Sequence, residues 1–117
     1  MRWFVAGALF LLASCAAAPL DATSVSAEPS ELAADGRDIA EAECAACHAV
    51  GIYGESPNPQ APVFRTLFQR YNASVLEQEL IEGIRVSHPM PEFQFNPQGT
   101  DALIAYLQTI QQTPPAQ

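Results

Sequence analysis

The chain of 117 residues contains no lysine. Its five basic residues are all arginines (Arg2, Arg37, Arg65, Arg70 and Arg85) against 13 carboxylates, giving a formal net charge of −8. So acidic a chain lacks the basic face that phosphate backbones require, which excludes nucleic acid as a partner. Any charged partner surface is expected to be basic. Cysteine is scarce too: three residues, an odd number that a simple disulfide framework leaves unbalanced. There are two histidines, His48 and His88, and two methionines, Met1 and Met90. No segment of useful length alternates with period two, so strands are not expected and the fold reads as all-α. What remains is 49% hydrophobic with few charges, a globular composition of single-domain length. The ordered part is short enough that apolar burial alone stabilises it only marginally, and a bound cofactor would help.

The first residues are of a different kind. Arg2 precedes the apolar run Trp3 to Leu12, and the small-residue exit Leu12-Ala13-Ser14-Cys15 follows. Charged start, short apolar stretch and small exit make a secretory signal over residues 1–14. Leu-Ala-Ser-Cys resembles the lipobox of bacterial lipoproteins, which implies that Cys15 is lipidated and becomes the new N-terminus. Cleavage after Ala18 with release of a soluble protein is one alternative. An uncut anchor is another, although Trp3 to Ala18 as a helix reaches about 24 Å, short of a hydrocarbon core of about 30 Å. All three put the domain outside the cytoplasm, in the periplasm or held at a membrane surface. Residues 15–32, rich in Ala, Ser, Glu and Pro, read as a flexible tether. The domain is expected over 33–112. From Gln111 on, with Pro114-Pro115, the chain reads as an end without structure, and 113–117 as a disordered tail.

Within the domain a first helix is expected from about Ala34 to Cys47, with Gly36, Ala40, Cys44 and Cys47 along one face. Val50 to Pro62, broken by prolines and glycines, reads as a loop. A short helical turn over Arg65 to Arg70 leads to a middle helix. That helix is capped by Asn72 or by a Ser74–Glu77 capping box, buries Leu76, Leu80 and Ile84, and ends near Gly83. A second irregular stretch, Ser87 to Asn96, precedes a last helix. Asn96-Pro97 supplies its cap and first residue. Leu103, Tyr106, Leu107 and Ile110 form its core face.

The chemistry is concentrated in Cys44-Ala45-Ala46-Cys47-His48. Two cysteines three apart lie about one helical turn from each other, so both thiols can form thioethers with the vinyl groups along one haem edge. His48 comes next on that face, where its imidazole reaches the iron. A zinc site needs four ligands, usually in two separated pairs, and only His88 is left over. A thioredoxin-like pair needs a βαβ setting that this chain lacks. One covalently attached haem c per chain is therefore expected.

With that motif at the end of its first helix, the chain resembles a class I c-type cytochrome over about residues 33–112. Gly36 and Tyr106 match the positions at which the N- and C-terminal helices of that family cross; Ala40 stands where an aromatic is often found. The resemblance implies a second axial ligand from a Pro-flanked loop, and Met90 in Pro89-Met90-Pro91-Glu92-Phe93 matches it. A thioether favours ferrous iron and raises the potential. Two other readings stay open: His88 as sixth ligand of a bis-histidine haem, and Met90 as ordinary packing. The resemblance also implies a proline carbonyl that accepts a hydrogen bond from the proximal histidine. Pro62 is the first candidate, with Pro57 and Pro59 as rivals. Tyr53, Arg65 and Tyr71 are candidates for the haem propionates, and Phe64, Phe68, Phe93 and Phe95 for packing around the porphyrin.

The function expected is one-electron transfer between redox partners outside the cytoplasm by a monomeric carrier with no catalytic residues. The alternative is a haem domain or subunit of an oxidoreductase, a peroxidase or a dehydrogenase, which needs an open sixth position. A sensor of NO or CO would need the same.

Overall fold

A computed structural model of the chain describes residues 28–84, 90–91 and 94–113. The signal segment, Cys15, most of the tether, His88, Phe93 and residues 114–117 lie outside the described residues.

Helix α1 spans Pro29–Ile39, so it begins inside the stretch assigned above to the tether. Pro29 supplies the first helical residue with φ already set and no amide to satisfy, and Glu31 places a negative charge on the positive end of the helix. This first turn is exposed, which is why no apolar period announces it. The α-helix does not run on to Cys47. It widens into a π-helical turn at Ala40–Cys44, closed by the amide of Ala45 on the carbonyl of Ala40 at 3.1 Å. The amides of Cys47 and His48 then share the Cys44 carbonyl, at 3.1 and 2.9 Å.

After the expected loop, a 3₁₀ helix at Phe64–Gln69 leads into α2, Ala73–Glu82. Asn72 caps α2, its side chain accepting from the Ser74 amide. The Ser74–Glu77 capping box does not form, because Ser74 lies inside the first turn of α2 rather than before it, its hydroxyl bonded to Asn72 Oδ1 at 2.7 Å. Gly83 ends the helix at φ 104°, a left-handed conformation that residues with a Cβ rarely adopt. Helix α3, Pro97–Ile110, starts as its sequence requires: Asn96 Oδ1 accepts the Gly99 amide at 2.7 Å and Pro97 opens the first turn.

Helices α1 and α3 pack against each other at a point where only glycine fits. A Cβ on Gly36 would lie 1.9 Å from the Ala102 carbonyl oxygen. The backbone that Gly36 admits is thus that of Ala102, one turn before Tyr106. Leu103, Tyr106, Leu107 and Ile110 are all buried, with Leu107 only 1% exposed. Each such leucine contributes about 1.5–3 kcal/mol of burial energy. The architecture is all-α. Among the described residues there is no strand, and no helix is long and apolar enough to cross a membrane.

Candidate functional site

A cavity of about 560 Å³, its open mouth included, lies between α2, α3, the 3₁₀ helix and the segment that follows α1. Its walls are almost wholly apolar: Leu76 and Leu80 come from α2, Leu103 and Leu107 from α3, Phe64 and Leu67 from the 3₁₀ helix. Into this lining come four of the residues singled out from the sequence: Cys44, His48, Pro62 and Met90. Cys47 is half-buried and not part of the wall.

His48 is the best-fixed polar group in the cavity. Its Nδ1 lies 2.8 Å from the carbonyl oxygen of Pro62. A carbonyl can only accept, so Nδ1 carries the proton and Nε2 is the nitrogen with a coordinating lone pair. Pro57 and Pro59, the rival prolines, are exposed. The Phe64 ring packs against the imidazole at 5.0 Å between centroids, tilted by 45°. The next residue is held from both sides, the Ala49 amide by Ser56 Oγ at 3.0 Å and its carbonyl by the Phe64 amide at 2.9 Å. Tyr106 closes the same region. Burial pushes its phenol above the ordinary value, so it stays neutral and donates to the Val50 carbonyl at 2.9 Å.

The donor set fits a covalently held macrocycle better than a bare ion. Burial pushes the Cys44 thiol up to about 11, with the Glu43 carboxylate adding to it. A neutral sulfur, thiol or thioether, suits this wall. Among the described residues no three His, Cys, Asp or Glu side chains gather as a metal site.

The remaining candidates separate. Tyr71 is on the wall, 39% exposed. Tyr53 stands outside it, 82% exposed. The Arg65 guanidinium donates to the Gly54 carbonyl at 2.8 Å and is not a lining group. Phe64 and Phe95 line the cavity, while Phe68 packs against the core behind it. Sequence reasoning missed Gln111 and Gln112, assigned to the structureless end. Gln111 bonds through its side chain to Phe64, Phe68 and Leu107. Gln112 bonds to Arg65, Ile52 and Gln69. No periodicity marks them; their partners, apart from Leu107 on the last turn of α3, lie 43 to 60 residues away.

Comparison with curated proteins and with solved structures finds no match. A family model, Cytochrome c, matches residues 33–111, a span that begins within α1 and ends just past α3. Members of this family carry covalently attached haem c with its iron and transfer electrons. The match spans most of an all-α chain in which Cys44 and His48 border an apolar cavity, and the chain belongs to the cytochrome c family.

Proposed function

We propose that this chain is a one-electron carrier, its single haem joined to Cys44 and Cys47 by thioethers and its iron ligated by His48 Nε2 and Met90 Sδ. One observation carries the reading: His48 and Met90, 42 positions apart in the sequence, line the same apolar cavity, with the His48 tautomer fixed by Pro62. The haem supplies the ferrous–ferric couple. The protein does the rest. Pro62 orients the imidazole and strengthens its donation. Leu76, Leu80, Leu103 and Leu107 exclude water, which favours the less charged ferrous state. His48 and Met90 would hold the iron between them and leave substrate no place on it, which makes the protein a carrier rather than an enzyme.

Spectroelectrochemistry of the haem-loaded protein and of Met90→Ala tests the ligation. The wild type should show the sulfur-to-iron charge-transfer band in its ferric spectrum. Met90→Ala should lose that band and fall markedly in potential. An unchanged spectrum would move the sixth ligand away from Met90.

The reading extends to place and partner. Export by residues 1–14 puts the domain in the periplasm, and lipidation of Cys15 would hold the carrier near membrane redox enzymes and raise its effective concentration there. Docking uses a basic partner surface, since α1 and its π turn expose Glu31, Asp35, Asp38, Glu41 and Glu43 around a single arginine, Arg37. Electron-transfer rates that fall as salt rises support a basic partner; rates indifferent to ionic strength would exclude it.

A further inference from the structure

The wall that carries His48 is fastened from an unexpected direction, the residue just beyond α3. The side-chain amide of Gln111 makes three hydrogen bonds. Its Oε1 accepts the Phe68 amide at 3.0 Å, and its Nε2 donates to the carbonyls of Phe64 at 2.8 Å and Leu107 at 2.9 Å. Phe64 opens the 3₁₀ helix, Phe68 lies near its end, and Leu107 is in the last turn of α3. A 3₁₀ helix has poor internal hydrogen-bond geometry, so an amide that ties both its ends to a long helix, beside the Gln112 bonds to Arg65 and Gln69, contributes to how firmly it sits. The chain leading into this short helix is the one that touches the histidine, through the Pro62 carbonyl and the Phe64 ring.

We infer that Gln111 is a positioning residue for His48. By clamping Phe64 to Phe68 onto α3, it holds the Pro62 carbonyl at hydrogen-bonding distance from Nδ1. This inference rests on His48 being the iron's ligand. A histidine whose Nδ1–H is held by a carbonyl is a stronger donor at Nε2 and stabilises the ferric state. When the clamp is loosened, that donation weakens and the equilibrium moves toward the ferrous state.

The test uses the full haem-loaded protein at neutral pH, with Gln111→Met and Gln111→Glu. The readouts are midpoint potential and the NMR-detected exchange of two protons, His48 Nδ1–H and the Phe68 amide. Gln111→Met removes all three bonds. Both protons should then exchange at least about tenfold faster, and the one-electron equilibrium should shift toward reduction by about tenfold or less. Gln111→Glu keeps an acceptor for the Phe68 amide but loses both donations. The Phe68 amide should stay protected while His48 Nδ1–H exchanges faster as in Gln111→Met; the new carboxylate itself favours ferric iron, so the potential is read on Gln111→Met. Should Gln111→Met fail to fold, Gln111→Glu alone decides. Wild-type Nδ1–H exchange in Gln111→Glu would overturn the inference and leave Gln111 a backbone staple. The ligand assignment fails separately: a wild-type protein whose His48 ring protons show no shift from the iron removes the premise, whatever the variants do.

Discussion

The two walls of the cavity are held by different kinds of force. On the His48 side the contacts are directional. Pro62 grips the imidazole, Ser56 and Phe64 take both polar atoms of Ala49, Tyr106 reaches Val50, and Gln111 pins the 3₁₀ helix. Toward α2, the side from which the chain carrying Met90 follows, the lining includes the apolar Leu76 and Leu80. The chain leading into α3 meets α2 through a backbone bond, Phe95 to Leu80 at 3.2 Å. Hydrogen bonds fix angles, whereas apolar contacts fix volume and little else. One wall should therefore respond to the loss of single polar atoms, and the other to changes in bulk.

The largest effect is expected where both walls share a foundation. Gly36→Ala drives a Cβ into the Ala102 carbonyl, and the α1–α3 crossing must open. A loss of at least about 3 kcal/mol in guanidinium unfolding of the haem-loaded protein is expected. Leu80→Ala hollows the Met90 side alone and should cost about 2 kcal/mol. It should speed carbon monoxide binding to the ferrous protein and leave exchange of His48 Nδ1–H unchanged. If that proton exchanges faster as well, the division between the walls is wrong. Tyr106→Phe removes one directional bond on the His48 side without changing volume. About 1 kcal/mol is expected, with faster amide exchange over residues 49–52 and normal carbon monoxide binding. Arg37→Ala breaks the exposed pair with Glu41, whose members meet at 2.7 Å. Because solvent screens that pair, no change in melting temperature is expected at physiological salt.

Much of the fold was legible where one local rule acts on one segment. Asn96-Pro97 marked the start of α3, its i, i+3, i+4, i+7 residues marked the buried face, and Gly83 marked the end of α2. The cysteine–histidine spacing pointed to the haem. The start of α1 was not legible, because Pro29, Ser30 and Glu31 are exposed and carry no apolar period. Nor was the choice between Asn72 and Ser74 as cap, since either side chain suits that position and only the geometry decides. Gln111 shows the wider limit. A glutamine near a chain end has no signature, and its value comes from carbonyls brought to it by the rest of the fold.

The π turn has a geometric consequence for the whole chain. In an α-helix, residues four apart overshoot a full revolution by about 40°, so Gly36, Ala40 and Cys44 would spiral away from a common line. A turn that takes more residues per revolution cancels the overshoot. All three are buried, the first against α3 and the last at the haem cavity. The turn thus acts as a gear of slightly different pitch, joining a helix timed to its neighbour with a motif timed to a cofactor. Redesigning residues 29–47 as one ideal α-helix would keep every side chain and lose the synchrony.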